Sequence, residues 1–381
     1  SKGMAGASTT STDDTFFGAN NPAAAAFAGN RIDLGVDLFS PIREASNSNF
    51  GGLAGPVSVE SDSNYFLVPE FGYNHMMDDK LALGVTVYGN GGMNSNYPPL
   101  PASYGGSNIL FGSGNVGVDL VQLIIAPTAA YKIAPNHSIG ISPLLGYQRF
   151  SAEGLQAFAG YQYPGTPSLA INQGYDASFG CVFRIGYLGK ITPTVTIGAA
   201  YASKMDFQKF DNYAGLFAEQ GDFDIPENYN LGVAWQATPT VKLALDYQRI
   251  NYSGVDSVGN PVVPNIINGL GASNGPGFGW DDMNIWKIGM EYKHSQQLTL
   301  RAGYSYANSP IEGSDCSTTA NCGEVTFNIL APAVIEQHIT LGATYTLASG
   351  NEVTVDYMHG FENEVSGSNL FNPSEDTIKM Y

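Results

Sequence analysis

From Arg31 onward the chain alternates. In Arg31–Phe39 the apolar residues Ile32, Leu34, Val36 and Leu38 are separated by Asp33, Gly35 and Asp37, the period-two pattern of a strand with one apolar and one polar face. Before that point there is no such period: the stretch from Asp13 to Asn30 is first polar, then alanine-rich, and carries Pro22 and the apolar rings Phe16, Phe17 and Phe27. Alternation returns near 64–73, 80–88, 119–131, 138–147, 175–188, 194–203, 228–236, 241–250, 284–292, 298–306, 334–346 and 352–361, with an incomplete segment from Asp376. The pattern predicts an all-β chain of about fourteen antiparallel strands, an even number that lets one sheet close on itself.

The connections sharpen this expectation. Short links such as "IAPN", "ATPT" and "LASGN" alternate with long ones over 90–118, 150–174, 204–223, 251–283 and 307–333. Tight turns on one rim and long loops on the other predict a transmembrane β-barrel, since sheet edges cannot be left open in lipid. Aromatic residues at strand ends, among them Tyr73, Tyr131, Tyr201, Trp235, Trp286 and Tyr345, fit a girdle at the two membrane interfaces. Because the first strand leads into a long connection it runs toward the long-loop rim. Residues 1–30 then lie on the short-turn side, where a polar segment can fold into the bore, and residues 31–381 form the barrel.

Composition removes the soluble alternatives. Only 13% of the 381 residues are charged, while 43% are hydrophobic and 12% aromatic, and no run of eighteen apolar residues is available for a membrane helix. The net charge of −18 argues against nucleic acid as a partner. Cys316 and Cys322, in the polar stretch "SDCSTTANCG", predict a disulfide formed in an oxidising compartment, and Cys181 reads as inert packing in a strand. That loop holds too few ligands for zinc, so neither metal nor cofactor is expected. No signal peptide leads the chain, which is expected to have lost it on secretion.

Catalytic chemistry finds little support. No G-x-S-x-G or H-E-x-x-H occurs, and the sparse histidines leave only His338, with Ser305 or Asp356, as a candidate; no enzyme is expected. Transport needs other parts. If Leu300, Ala302 and Tyr304 face lipid, Arg301 turns inward, and the same count brings Lys287 and Arg184 into the lumen, where they either meet a ligand carboxylate or pair with Asp246, Glu291, Glu336 or Asp356. Two long loops repeat apolar residues at near-helical spacing: Leu155 and Phe158 in one, Phe207, Phe210 and Phe217 in the other. They form an apolar landing groove, or they pack on each other.

These residues resemble the FadL family of outer-membrane channels. The opening "SKGMAGASTTSTDDTFFGANNPAAAAF", with Asn21, Pro22 and Ala23, is similar to that family's plug, and "LRAGYSYANSPI" to its Arg-x-Gly strand followed by Ser-Pro. The resemblance implies a barrel of about fourteen strands with an N-terminal plug in the lumen, placed in the bacterial outer membrane. It implies a carboxylate contact at Arg149 in "YQRF", although alternation turns Arg149 outward toward lipopolysaccharide. It also implies a kink in the third strand at Gly89, Gly91 and Gly92 through which an apolar ligand leaves sideways. Both ends of the chain are expected to be truncated, since "DTIKMY" lacks a full last strand. The expected function is passive uptake of hydrophobic compounds, foremost long-chain fatty acids, by a monomer in contact with outer-membrane lipid and lipopolysaccharide. Aromatic or alkane hydrocarbons are the alternative cargo. A porin for small polar solutes and a lipid hydrolase are the alternative classes.

Overall fold

The computed structural model describes residues 2–52, 54–169 and 173–381. After β1 (Arg31–Phe39) come two short strands, β2 (Arg43–Asn47) and β3 (Val57–Glu60), and then β4 (Phe66–Met76), β5 (Leu81–Asn94), β6 (Gly117–Ala134), β7 (His137–Glu153), β8 (Asp176–Lys190) and β9 (Val195–Ala202). The second half holds β10 (Asn228–Gln236), β11 (Val241–Ile250), β12 (Met283–Lys293), β13 (Leu298–Ala307), β14 (Gln337–Thr346), β15 (Glu352–Gly360), β16 (Asn363–Ser368) and β17 (Glu375–Met380). β1 and β4 to β15 make one thirteen-stranded antiparallel sheet in chain order, and β16, β17, β2 and β3 a separate four-stranded sheet.

The large sheet is apolar outside and polar inside, the reverse of a soluble protein. Ile32, Leu34, Val36 and Leu38 are all exposed, Leu34 at 79%, whereas Asn74, Thr86, Ser138, Gln148 and Asp246 are buried. A strand face this apolar is stable only against lipid, and the strand register keeps every second side chain on it. The edges of the sheet face each other: Arg31 Nη2 on β1 lies 2.8 Å from Glu352 Oε2 on β15. Among the described residues no register joins those two strands.

One expected wall strand is placed elsewhere. The segment beginning at Asp376 pairs with β2, from Asp376 opposite Asn47 to Met380 opposite Arg43. Asp376 is fully buried and accepts hydrogen bonds from Asn47 Nδ2 at 2.7 Å, Thr326 Oγ1 at 2.5 Å and Asn369 Nδ2 at 2.8 Å. A carboxylate with three donors holds the segment in the small sheet, so among the described residues thirteen strands are paired in the wall, consistent with a barrel of about fourteen.

The N-terminal segment crosses the interior. Lys2 pairs with Asp37 of β1 and, at 2.8 Å, with Glu70 of β4, while Ala5 N donates to Thr340 Oγ1 of β14 at 2.8 Å. Asn21 caps the 3-10 turn Pro22–Phe27 by accepting from Ala23 N. Pro22 begins that turn with its φ already set. The long connections gather over the other end of the wall as a cap whose core includes Tyr97, Leu110, Phe150, Phe158, Phe217 and Phe327.

Candidate functional site

The bore holds a set of charged side chains on the inward parity of the wall. Arg184 of β8 donates to the carbonyls of Gly18 and Ala19 and, at 3.2 Å, to Asn228 Oδ1. Arg301 of β13 donates to Glu291 Oε2 at 2.9 Å and to Thr344 Oγ1 at 2.6 Å. Lys242 bridges Asp13 at 3.0 Å and Glu291 at 3.2 Å. Lys287 donates to Gln248 Oε1 at 2.9 Å and sits directly opposite Asp246 in the β11–β12 register. Parity thus turns Arg184, Lys287 and Arg301 inward, and each is matched there by protein groups.

Asp246 ties the N-terminal segment to the wall. Its Oδ2 accepts from Ser8 N at 2.9 Å, Thr9 N at 2.8 Å and Thr9 Oγ1 at 2.7 Å. The far half of the segment is held differently: Asn74 Nδ2 donates to the carbonyls of Ala25 and Gly29, and Ser138 Oγ to that of Ala23. Phe27 lies between Lys132 and Lys190, whose ammonium groups are 4.9 Å and 5.0 Å from its ring centre.

The wall is interrupted beside this segment. β4 and β5 pair from Met76 opposite Ala82 only as far as Phe71 opposite Val87. Above that level β4 pairs with β1, and β5 pairs with β6 through a bulge between Gly89 and Gly91. Among the described residues Phe66–Glu70 therefore has no ladder to Tyr88–Asn94. Val68 Cγ1 stands 3.1 Å from where a Gly89 Cβ would be, so any side chain there would close on it.

Residues 1–374 match the family described as Outer membrane protein transport protein (OMPP1/FadL/TodX). The chain belongs to the OMPP1/FadL/TodX family. Its fold is similar to that of the Pseudomonas putida toluene transporter TodX, with 19% identity over 96% of this chain and 92% of that one and a TM-score of 0.67. It is similar also to a Pseudomonas aeruginosa FadL homologue, with 17% identity, 98% and 94% coverage and a TM-score of 0.66. The Ralstonia pickettii toluene transporter TbuX gives 14%, 96% and 92% coverage, and 0.60. No curated protein matches the chain. As a FadL/TodX-family member it is an outer-membrane channel for hydrophobic compounds and not an enzyme.

In this FadL/TodX chain two sequence expectations take a different form. Leu155, Phe158, Phe210 and Phe217 are buried in the cap core, with the Phe150 ring 4.8 Å from that of Phe217 and 5.9 Å from that of Phe210. The two loops join one cap core in which Phe158, Phe210 and Phe217 are fully covered, while Leu155 borders a small recess with Ala152, Gln156 and Tyr213. Phe207 leaves that core. It drops into the bore with Met205 and joins Ile124, Ala126 and Leu144 of the wall, its ring lying where Gly146 and Gly180 carry no side chain. Arg149 is not a lumenal cation. Its neighbours Gln148 and Phe150 take the inward positions, and Arg149 projects outward over the Tyr175 ring at 4.7 Å. Cys316 and Cys322 form a disulfide, and Cys181 is exposed on the outer face of β8.

Burial shifts several carboxyls upward in the connections outside the wall strands, among them Asp224, Asp256 and Glu324. Asp222, in the inward hairpin between β9 and β10, is pushed up to about 7 by burial and then by the nearby carboxylates of Asp224 and Glu219. Lys204 holds that hairpin closed, 3.1 Å from both Asp206 and Asp224. Sequence reasoning missed Asp246 as the anchor of the N-terminal segment. The available signal was one acid in the alternating stretch "VKLALDYQRI", on the inward parity.

Proposed function

We infer that this channel passes uncharged hydrophobic molecules, aromatic or alkane hydrocarbons, in preference to long-chain fatty acids. The carrying observation is that Arg184, Lys287 and Arg301 are each engaged by protein groups. A carboxylate entering the bore would have to displace Glu291 from Arg301, or the carbonyl and amide oxygens that already accept from Arg184 and Lys287, and a buried group that loses its partner is costly. An uncharged ligand meets no such cost. Its transfer from water is favourable by about 0.8 kcal/mol per methylene.

In this reading residues 1–30 are a plug and residues 31–381 the barrel. Ligand crosses the cap, passes Phe207 and leaves sideways through the unpaired stretch between β4 and β5, entering lipid without meeting the periplasm. The bulge at Gly89 and Gly91 and the lack of a ladder there support a lateral exit. Uptake by cells carrying the channel, measured with an alkylbenzene and with oleate, tests the choice. Alkylbenzene uptake should exceed that of channel-free cells while oleate uptake does not; the opposite order would return the assignment to fatty acids.

A further inference from the structure

We propose that three cross-strand glycine pairs in the wall are the seat on which the N-terminal segment closes the bore against ions. The inference rests on the reading of that segment as a plug. Gly289 faces Gly303 across β12 and β13, Gly198 faces Gly232 across β9 and β10, and Gly140 faces Gly186 across β7 and β8. At each pair the segment occupies the space a side chain would need. A Cβ on Gly303 would stand 2.5 Å from Ala5 N and 2.8 Å from Met4 Cα, and one on Gly289 2.6 Å from Met4 Cβ. At the second pair the distances are 2.5 Å from Gly198 to Thr9 O and 2.8 Å from Gly232 to Thr9 Cβ. At the third they are 2.6 Å from Gly140 to Pro22 O and 2.9 Å from Gly186 to Pro22 Cδ.

None of these six residues has a positive φ, so the backbone itself does not require glycine. Glycine inside a strand weakens the strand, and here it is explained by what lies against it. The pairs grip the segment at Met4 and Ala5, at Thr9, and at Pro22, on different sides of the bore. At these three contacts no water layer fits between segment and wall; the open space that remains beside the segment, lined by Lys2, Asp13, Asp14, Glu70, Thr354 and Asp356, lies on the side of β1 and β15. The seat is also divisible. Filling the Gly289–Gly303 pair lifts the first residues of the segment, while its later part stays lodged against β5 to β8.

The experiment is conductance of the purified full chain in planar bilayers, with the heat-dependent gel shift of a folded barrel as the folding check. Gly289→Ala and the pair Gly289→Ala/Gly303→Ala are compared with Gly160→Ala, where an added Cβ meets nothing within 4 Å. Ala24→Arg perturbs the segment directly at a buried position. The unsubstituted chain and Gly160→Ala should stay closed, and both glycine variants should show discrete conductance steps. Met4→Gly, which removes the Cβ that Gly289→Ala would meet, should close that variant again. Closed glycine variants beside a conducting Ala24→Arg overturn the seat and leave the plug reading standing. Silence in all of them overturns both. If the double variant does not fold, the single Gly289→Ala and its Met4→Gly rescue decide the matter.

Discussion

Replacing Asp246 by alanine should release the first part of the N-terminal segment while the wall stays intact. One oxygen of that carboxylate accepts hydrogen bonds from Ser8 N, Thr9 N and Thr9 Oγ1 at 2.7–2.9 Å, and the side chain is only 2% exposed. Hydrogen bonds to a charged acceptor contribute about 1.5–3 kcal/mol each. Three that share one oxygen do not add in full, so we take about 3 kcal/mol for the set. Losing it raises the open population of residues 6–11 on the order of a hundredfold. Lys287, left opposite an alanine, pushes in the same direction. Amide exchange followed by mass spectrometry in detergent reads the effect. Residues 6–11 should exchange faster in Asp246→Ala, whereas residues 21–27, held by Asn74 and Ser138, should not. Asp246→Asn, with an acceptor oxygen but no charge, should fall between. Equal protection of Ser8 and Thr9 in the unsubstituted and alanine chains would refute the role given to this carboxylate.

Three further outcomes are expected. Phe207→Ala should destabilise the inward hairpin by about 3–5 kcal/mol and, if the route runs past it, alter uptake of aromatic ligands; unchanged hairpin protection would count against its packing role. Asp222 has a folded-state value above the ordinary carboxylate range, so the hairpin is tightest while that group is protonated and loosens as pH rises toward 7. Asp222→Asn should therefore protect residues 205–225 from amide exchange at pH 8 and make no difference at pH 4. Reducing the Cys316–Cys322 bridge, with a sequence separation of 6, should cost about 2 kcal/mol, detected as faster proteolysis of that loop with the wall unaffected.

The wall was legible because a lipid-facing strand has one face whose chemistry cannot vary. Ile32, Leu34 and Val36 announce β1, and the same parity places Arg184, Lys287 and Arg301 inside. The short links mark hairpin ends, and the glycines after Tyr88 mark the bulge at the end of the β4–β5 ladder. What escaped lies where alternation carries no information. β2, β3 and β16, and the pairing of the expected strand from Asp376 with β2 instead of the wall, are set by partners far away in sequence, such as Asn47 with Asp376. The near-helical spacing of Leu155, Phe158, Phe210 and Phe217 correctly signalled an apolar face. It could not tell an open face from a covered one: Phe210 and Phe217 are covered by Phe150, and Phe158 by Phe327 and Phe371. Arg149 shows the reverse case, since strict parity outweighed a role carried over by resemblance.

The four-stranded sheet has a mechanical meaning. β2 follows the first wall strand directly, β16 follows the last, and β17 laces the two together through its ladder with β2. Tension applied across the edges of the wall is therefore borne first by this small lattice. A pulling experiment should record one initial rupture there, followed by stepwise peeling of hairpins from the barrel.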